Sequence, residues 1–178
     1  DDITFNNTDT NFLLQGSFLA NDDLTVTAGT LDTDADGAGA GTTIYNLTVK
    51  GNASFAATGF NARTGLLALF NDGADEIKIL TTGGNTFHHL TINHTAATTN
   101  TARVSGALDV NGTFTLTDGT LDLDTNNVTV NAAGDVSIAS GAAITKDVQG
   151  AVWTFDGTTQ SYTDSNATKQ NLGVVTIG

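Results

Sequence analysis

The chain contains no cysteine, no proline and no methionine. Without cysteine it has neither a disulfide framework nor thiol chemistry, so packing and hydrogen bonds must hold the fold. Without methionine it has no initiator residue, and it is expected to be a processed or excised chain. Basic residues are scarce: 6 Lys and Arg stand against 19 acidic side chains, for a formal net charge of −13. That field repels polyanions, so nucleic acid and anionic membrane surfaces are not expected partners, and divalent cations are the natural counterions. Glu76 is the single glutamate; every other acidic residue is Asp. Glu suits helix interiors whereas Asp suits turns, and no stretch carries a 3.6-residue apolar period, so helices are not expected. Aromatic residues make up only 7% of the chain, which leaves the core to Val, Leu, Ile and Ala. No apolar run is long enough to span a bilayer, so no membrane insertion is expected.

What the chain does have is strict alternation of apolar and polar residues in short runs separated by Gly, Asn and Asp. Gly106 to Asp124, GALDVNGTFTLTDGTLDLD, shows it best, and an earlier stretch, Gly16 to Asp34, matches it at an offset of 90 residues. Thr25 corresponds to Thr115, Thr27 to Thr117, and Gly29-Thr30-Leu31-Asp32 to Gly119-Thr120-Leu121-Asp122. Alternation with period 2 means strands with one buried face, and the glycines mark tight turns. The offset drifts: Leu47-Thr48-Val49 matches Val128-Thr129-Val130 at 81 residues, which places an insertion at the loop DADGAGAG in the first copy. The reading is therefore two β-repeats, residues 1–89 and 90–178, packed as one continuous unit. Short strands at near-even spacing within a long shared repeat predict an all-β fold, a parallel β-solenoid built of stacked turns. A Greek-key or jelly-roll β-sandwich with strand exchange between subunits is the alternative.

The run GALDVNGTFTLTDGTLDLDTNNVTVNAAGDVSIASGA resembles the repetitive β-solenoid regions of large bacterial surface proteins, of the filamentous-haemagglutinin and autotransporter-passenger type. The resemblance implies parallel rungs and a surface role, with no active site. Abundant Gly, Asn, Asp and Thr with few Lys and Glu agrees with an extracellular or cell-surface location.

Ile3-Thr4-Phe5, Leu90-Thr91-Ile92 and Val175-Thr176-Ile177 read as one strand of the repeat met three times. Repeat arrays normally close with atypical capping units, and neither end reads as one. Ile3, Phe5, Val175 and Ile177 are therefore the expected subunit-contact residues, and a homopolymer assembled head to tail, with terminal strand donation, is the expected partner arrangement. The function expected on these grounds is a secreted structural subunit of an extracellular filament or surface layer. The alternative is a stalk or adhesive segment of a longer surface protein that binds glycans or another partner.

Asp32-Thr33-Asp34-Ala35-Asp36-Gly37 spells D-x-D-x-D-G, in which alternate carboxylates of a tight loop converge on one cation. Asp32, Asp34 and Asp36 are the candidate Ca²⁺ ligands, although the twelfth position is Thr43 rather than a bidentate Glu. The three histidines, His88, His89 and His94, are spaced too far apart or point too differently along a strand to share a metal. Arg63 and Arg103, the only arginines, fall in unlike contexts. No nucleophile elbow and no phosphate-binding glycine loop is present, so no enzyme activity is expected.

Overall fold

The computed structural model describes residues 1–37, 43–71, 73, 76–95, 100–146 and 152–178. These form an all-β parallel solenoid of about 7 turns without a helix. Alternation buries one side of the interior strands, and a Gly, Asn or Asp corner then turns the chain onto the next face. Three faces result.

The first face carries β1 (Ile3–Leu13), β3 (Leu24–Asp32), β5 (Ala53–Phe55), β8 (Ile77–Thr81), β11 (Thr101–Ser105), β14 (Thr120–Asp122) and β17 (Ala143–Thr145). The second carries β9 (Thr86–Phe87), β12 (Leu108–Val110), β15 (Val130–Ala132), β18 (Val152–Phe155) and β20 (Val174–Ile177). The third carries β2 (Phe18–Ala20), β4 (Leu47–Val49), β7 (Leu66–Asn71), β10 (His89–His94), β13 (Phe114–Asp118), β16 (Val136–Ile138) and β19 (Tyr162–Asp164).

The long strands β1 and β3 run around the corner between the first two faces. Leu24–Val26 of β3 pair with β5, whereas Leu31 and Asp32 pair with β6 (Phe60–Asn61). The Phe60 ring lies 5.8 Å from that of Phe87, so β6 leads into the second-face column. The corner in β3 is Gly29, at φ +82°, where a Cβ would strike the carbonyl oxygens of Asn7 and Thr10; only glycine fits.

Each inward residue stacks on its counterpart one turn away, about 4.8 Å along the axis. On the third face the inward column reads Leu47, Leu67, Leu90, Phe114 and Val136, all buried. On the second it reads Leu108, Val130 and Trp153. A fully buried aliphatic or aromatic side chain of this size stabilises the coil by about 1.5–3 kcal/mol, which is how so few aromatics suffice. Corners break the hydrogen-bond ladder, and side-chain amides repair it. Asn85 donates to the carbonyls of Ala56 and Thr82 at 2.8 and 2.7 Å and accepts from the Phe60 amide at 3.0 Å. Asn100 accepts from the Glu76 amide and donates to the Gly73 carbonyl; Asn166 accepts from the Gly141 amide. The asparagine content is thus used to satisfy backbone groups between turns.

The coiling unit is the single turn: Leu108 faces Val130, 22 residues further on, and Leu90 faces Phe114, 24 further on. Residues 89 and 90 both lie in β10, so the coil runs unbroken through the middle of the chain. The three strand segments expected to share one register occupy three faces instead: Ile3–Phe5 the first, Leu90–Ile92 the third, Val175–Ile177 the second.

Candidate functional site

The D-x-D-x-D-G segment leaves the coil at the end of β3. The backbone closes on itself there through an Asp34–Ile44 bridge, with the Ala35 amide donating to the Thr43 carbonyl at 3.2 Å and Tyr45 to Thr33 at 2.9 Å. Residues 38–42 of the loop DADGAGAG lie outside the described residues. Asp32 and Asp34 are buried and Asp36 is exposed. Asp32 does not offer its oxygens freely. Arg63, one turn on, donates Nε to both of them at 3.0 and 3.2 Å and Nη2 to Oδ2 at 2.7 Å, while Asn61 adds a bond at 3.2 Å. The Asp34 amide takes a further bond on Oδ1 at 2.9 Å. The Asp32 hydrogen bond raises the Arg63 pKa against the opposing effect of burial, with the charges of Asp32, Asp34 and Asp36 adding to it. A cation at Asp32, Asp34 and Asp36 therefore competes with a guanidinium already seated on the first ligand.

The second copy of the motif is built the same way. Arg103 Nε donates to Asp122 Oδ2 at 2.8 Å, and Thr125 donates its hydroxyl to the same oxygen at 2.7 Å. The amides of Asp124 and Thr125 cap Oδ1 at 3.0 and 3.1 Å. Burial opposes ionisation of Asp122, but Arg103 and Thr125 outweigh it and hold the carboxyl below the usual range. The two arginines, unlike in sequence context, thus hold the two corresponding aspartates: Arg63 from the turn after its partner, Arg103 from the turn before.

A carboxylate group missed in the sequence lies at the corner before β3. Asp2, Asp22 and Asp23 bring one oxygen each within 4.8 Å of one another. Asp23 Oδ1 also accepts from the Asn52 amide at 2.7 Å and its side chain at 3.0 Å. Asp2 joins the pair only because β1 lies directly beside β3.

His88 and His89, expected to point in different directions along a strand, lie together. His88 sits at the corner between β9 and β10 rather than within a regular strand, so its ring lies 4.4 Å from that of His89. His89 Nδ1 accepts the Thr113 amide at 3.0 Å. Burial, with a smaller contribution from His89, lowers the His88 pKa. His94 is enclosed at the end of β10, its Nδ1 without a hydrogen-bond partner. Burial pushes its pKa down to about 4; Lys78 assists, and Asp118 and Glu76 oppose.

The four expected contact residues lie at the two ends of the coil. Ile3 and Phe5 are inward positions of β1, opposite Leu24 and Val26, half-buried because only one neighbouring turn covers them. The Phe5 ring packs on those of Phe12 and Phe18, at 4.8 and 6.4 Å. At the other end Val175 and Ile177 continue the inward column of Trp153 and Phe155, yet are 45% and 75% exposed. Beside them runs an open groove of about 610 Å³, lined by Phe155, Gln160, Tyr162, Leu172, Val175 and Ile177. Burial raises the Tyr162 pKa to about 12, helped by the charge of Asp164 and a 3.4 Å hydrogen bond to it. No known protein family, curated protein or solved structure matches the chain.

Proposed function

We propose that this protein is a structural subunit that stacks head to tail into an extracellular filament or surface layer. One observation carries the reading. Of the seven exposed large hydrophobic residues among the described residues, four, Tyr162, Val174, Val175 and Ile177, belong to the last turn. Soluble surfaces scatter such residues singly; a contiguous set on one end marks a contact surface. The same end presents the free edge of a parallel strand, the arrangement that accepts another chain by strand addition. The opposite end offers a matching row of half-buried apolar residues, and a contact between two unlike ends that does not close generates a filament. The likeness to bacterial surface solenoids, and the acidic, Asn- and Thr-rich composition, support an extracellular place for it.

Negative-stain electron microscopy of the purified chain at increasing concentration tests the reading. Regular fibres of solenoid width support it; discrete single particles at every concentration overturn it. The excursion that leaves the coil between β3 and β4 favours the second reading, a stalk that presents this loop to a glycan or another partner. A stalk segment stays monomeric and retains a partner on a glycan array.

A further inference from the structure

The second face is interrupted part-way along the coil. β6 pairs with β3 and β9 pairs with β12, yet β6 and β9, one turn apart, share no backbone pairing. Their Phe60 and Phe87 rings still pack inside, 5.8 Å apart. The Phe60 amide is taken by the Asn85 side chain at 3.0 Å instead of by the backbone of β9. Two open depressions lie at this gap. One, of about 390 Å³, is lined by Thr30, Thr58, Phe60, Asn61, Asn85 and Thr86. The other, of about 210 Å³, is lined by Asn61, Arg63, Thr86, His88 and Asn111. Asn61 and Thr86 belong to both, so the two are adjoining parts of one cleft. Its residues come from the successive turns of β3, β6, β9 and β12, about 4.8 Å apart, and the cleft therefore follows the coil axis.

The backbone is strained on both sides of β6. Among the described residues three other than glycine have positive φ, and two of them line the cleft: Thr58 at +59° and Arg63 at +50°. A β-branched residue resists this conformation. Strain of this kind, held in place by its surroundings, gathers where backbone geometry serves a ligand. Thr30 holds the turn by donating its hydroxyl to the Thr58 carbonyl at 2.9 Å.

The cleft is polar, and its fixed charge is spent. Arg63 is seated on Asp32 at 2.7 Å. Burial lowers the His88 pKa, so its imidazole is neutral at pH 7 and offers one donor and one acceptor. The His88 ring, the Asn111 amide group and the Thr58 hydroxyl have no hydrogen-bond partner among the described residues. All three can both donate and accept, as a sugar hydroxyl does.

We infer that this cleft binds a neutral oligosaccharide laid along the coil axis. An anionic glycan meets a chain of net charge −13 and finds the one arginine of the cleft already occupied. A peptide held by strand addition needs a free backbone edge and the width of a strand. Here the Phe60 amide is already capped, and rings 5.8 Å apart leave no room for a strand between β6 and β9. The inference goes beyond the filament reading: the cleft lies between interior turns, and it is present whether or not subunits stack.

An array of neutral hexose and N-acetylhexosamine oligosaccharides, printed beside uronate oligosaccharides and a peptide library, is probed with the labelled full chain. Two variants accompany it. Thr58→Gly removes the hydroxyl and relaxes the left-handed backbone; Asn111→Ala removes an exposed amide at a turn. The expected result is retention of neutral oligosaccharides by the parent chain, weakened about tenfold in each variant as one hydrogen-bonding group is lost, with thermal midpoints close to the parent's. Failure of the parent to retain any neutral oligosaccharide overturns the inference, as does retention that both variants keep. Retention confined to uronates or to peptides overturns it as well. Electron microscopy of the same samples scores fibres separately, so the cleft and the filament fail independently.

Discussion

The middle turns and the last turn are made from the same kind of strand, and they differ only in what lies next to them. In the second-face column Trp153 is fully buried and Phe155 is 6% exposed; Val175 and Ile177, one turn on in the same column, are 45% and 75% exposed. Alternation in β18 and β20 is equally regular. A strand in this coil is buried by its neighbours, not by its own sequence, and an end strand is an interior strand short of one neighbour.

The comparison breaks most visibly in the core. Phe114→Ala removes a ring enclosed between turns on both sides and should cost about 3–5 kcal/mol in a denaturant titration. Ile177→Ala, with a similarly apolar residue at the coil end, should cost a small fraction of that in the dispersed protein. Equal losses would show that the end is already covered.

The two aspartate–arginine pairs sharpen the comparison at the next level. Arg63→Ala strands a buried Asp32 charge and should cost about 3 kcal/mol or more. Arg103→Ala leaves Asp122 with its Thr125 and amide bonds, so about 1–2 kcal/mol is expected from the same titration. The reverse order would mean that the Asp32 loop opens to water when its cation is removed.

His94 gives the middle turns a pH signature. Its folded pKa of about 4 lies below the ordinary value of 6.5. Above pH 6.5 both states are neutral and nothing changes. As pH falls from 6.5 towards 4 the unfolded chain takes up a proton the folded chain refuses, so stability falls across that window. The expected loss is of the order of 1 kcal/mol per pH unit at the steepest, and His94→Gln should flatten it. An unchanged slope in the variant assigns the pH dependence to other groups.

The smallest effect on stability belongs to the end. Val175→Asp and Ile177→Asp should leave the dispersed chain within about 0.5 kcal/mol of the parent, as surface changes do, and yet abolish fibres.

Much of the fold was legible because period-2 alternation and glycine corners are local signals. The D-x-D motif was legible for the same reason, as were the apolar triplets near both ends. Which face a strand occupies was not legible. A corner such as Gly29 carries the chain onward inside one continuous strand, while the excursion after Asp32 takes many residues to reach the next face, so residue counts do not translate into rotation. The partners of Asp32 and Asp122 were hidden similarly. Arg63 lies one turn after its aspartate and Arg103 one turn before, and only the coil's registration brings them together. Asp2 joins Asp22 and Asp23 through the same registration. The sequence offset of 90 residues does not set the coiling unit, which is the single turn that pairs Leu108 with Val130 and Leu90 with Phe114.

Hydrogen exchange at the amides of Val174–Ile177, followed as the protein is concentrated, tests most directly whether the last turn is an interior turn awaiting a neighbour. The account predicts that these amides exchange quickly in dilute protein and acquire the protection of β18 as fibres form. Exchange that stays fast at every concentration, with fibres present, would contradict it.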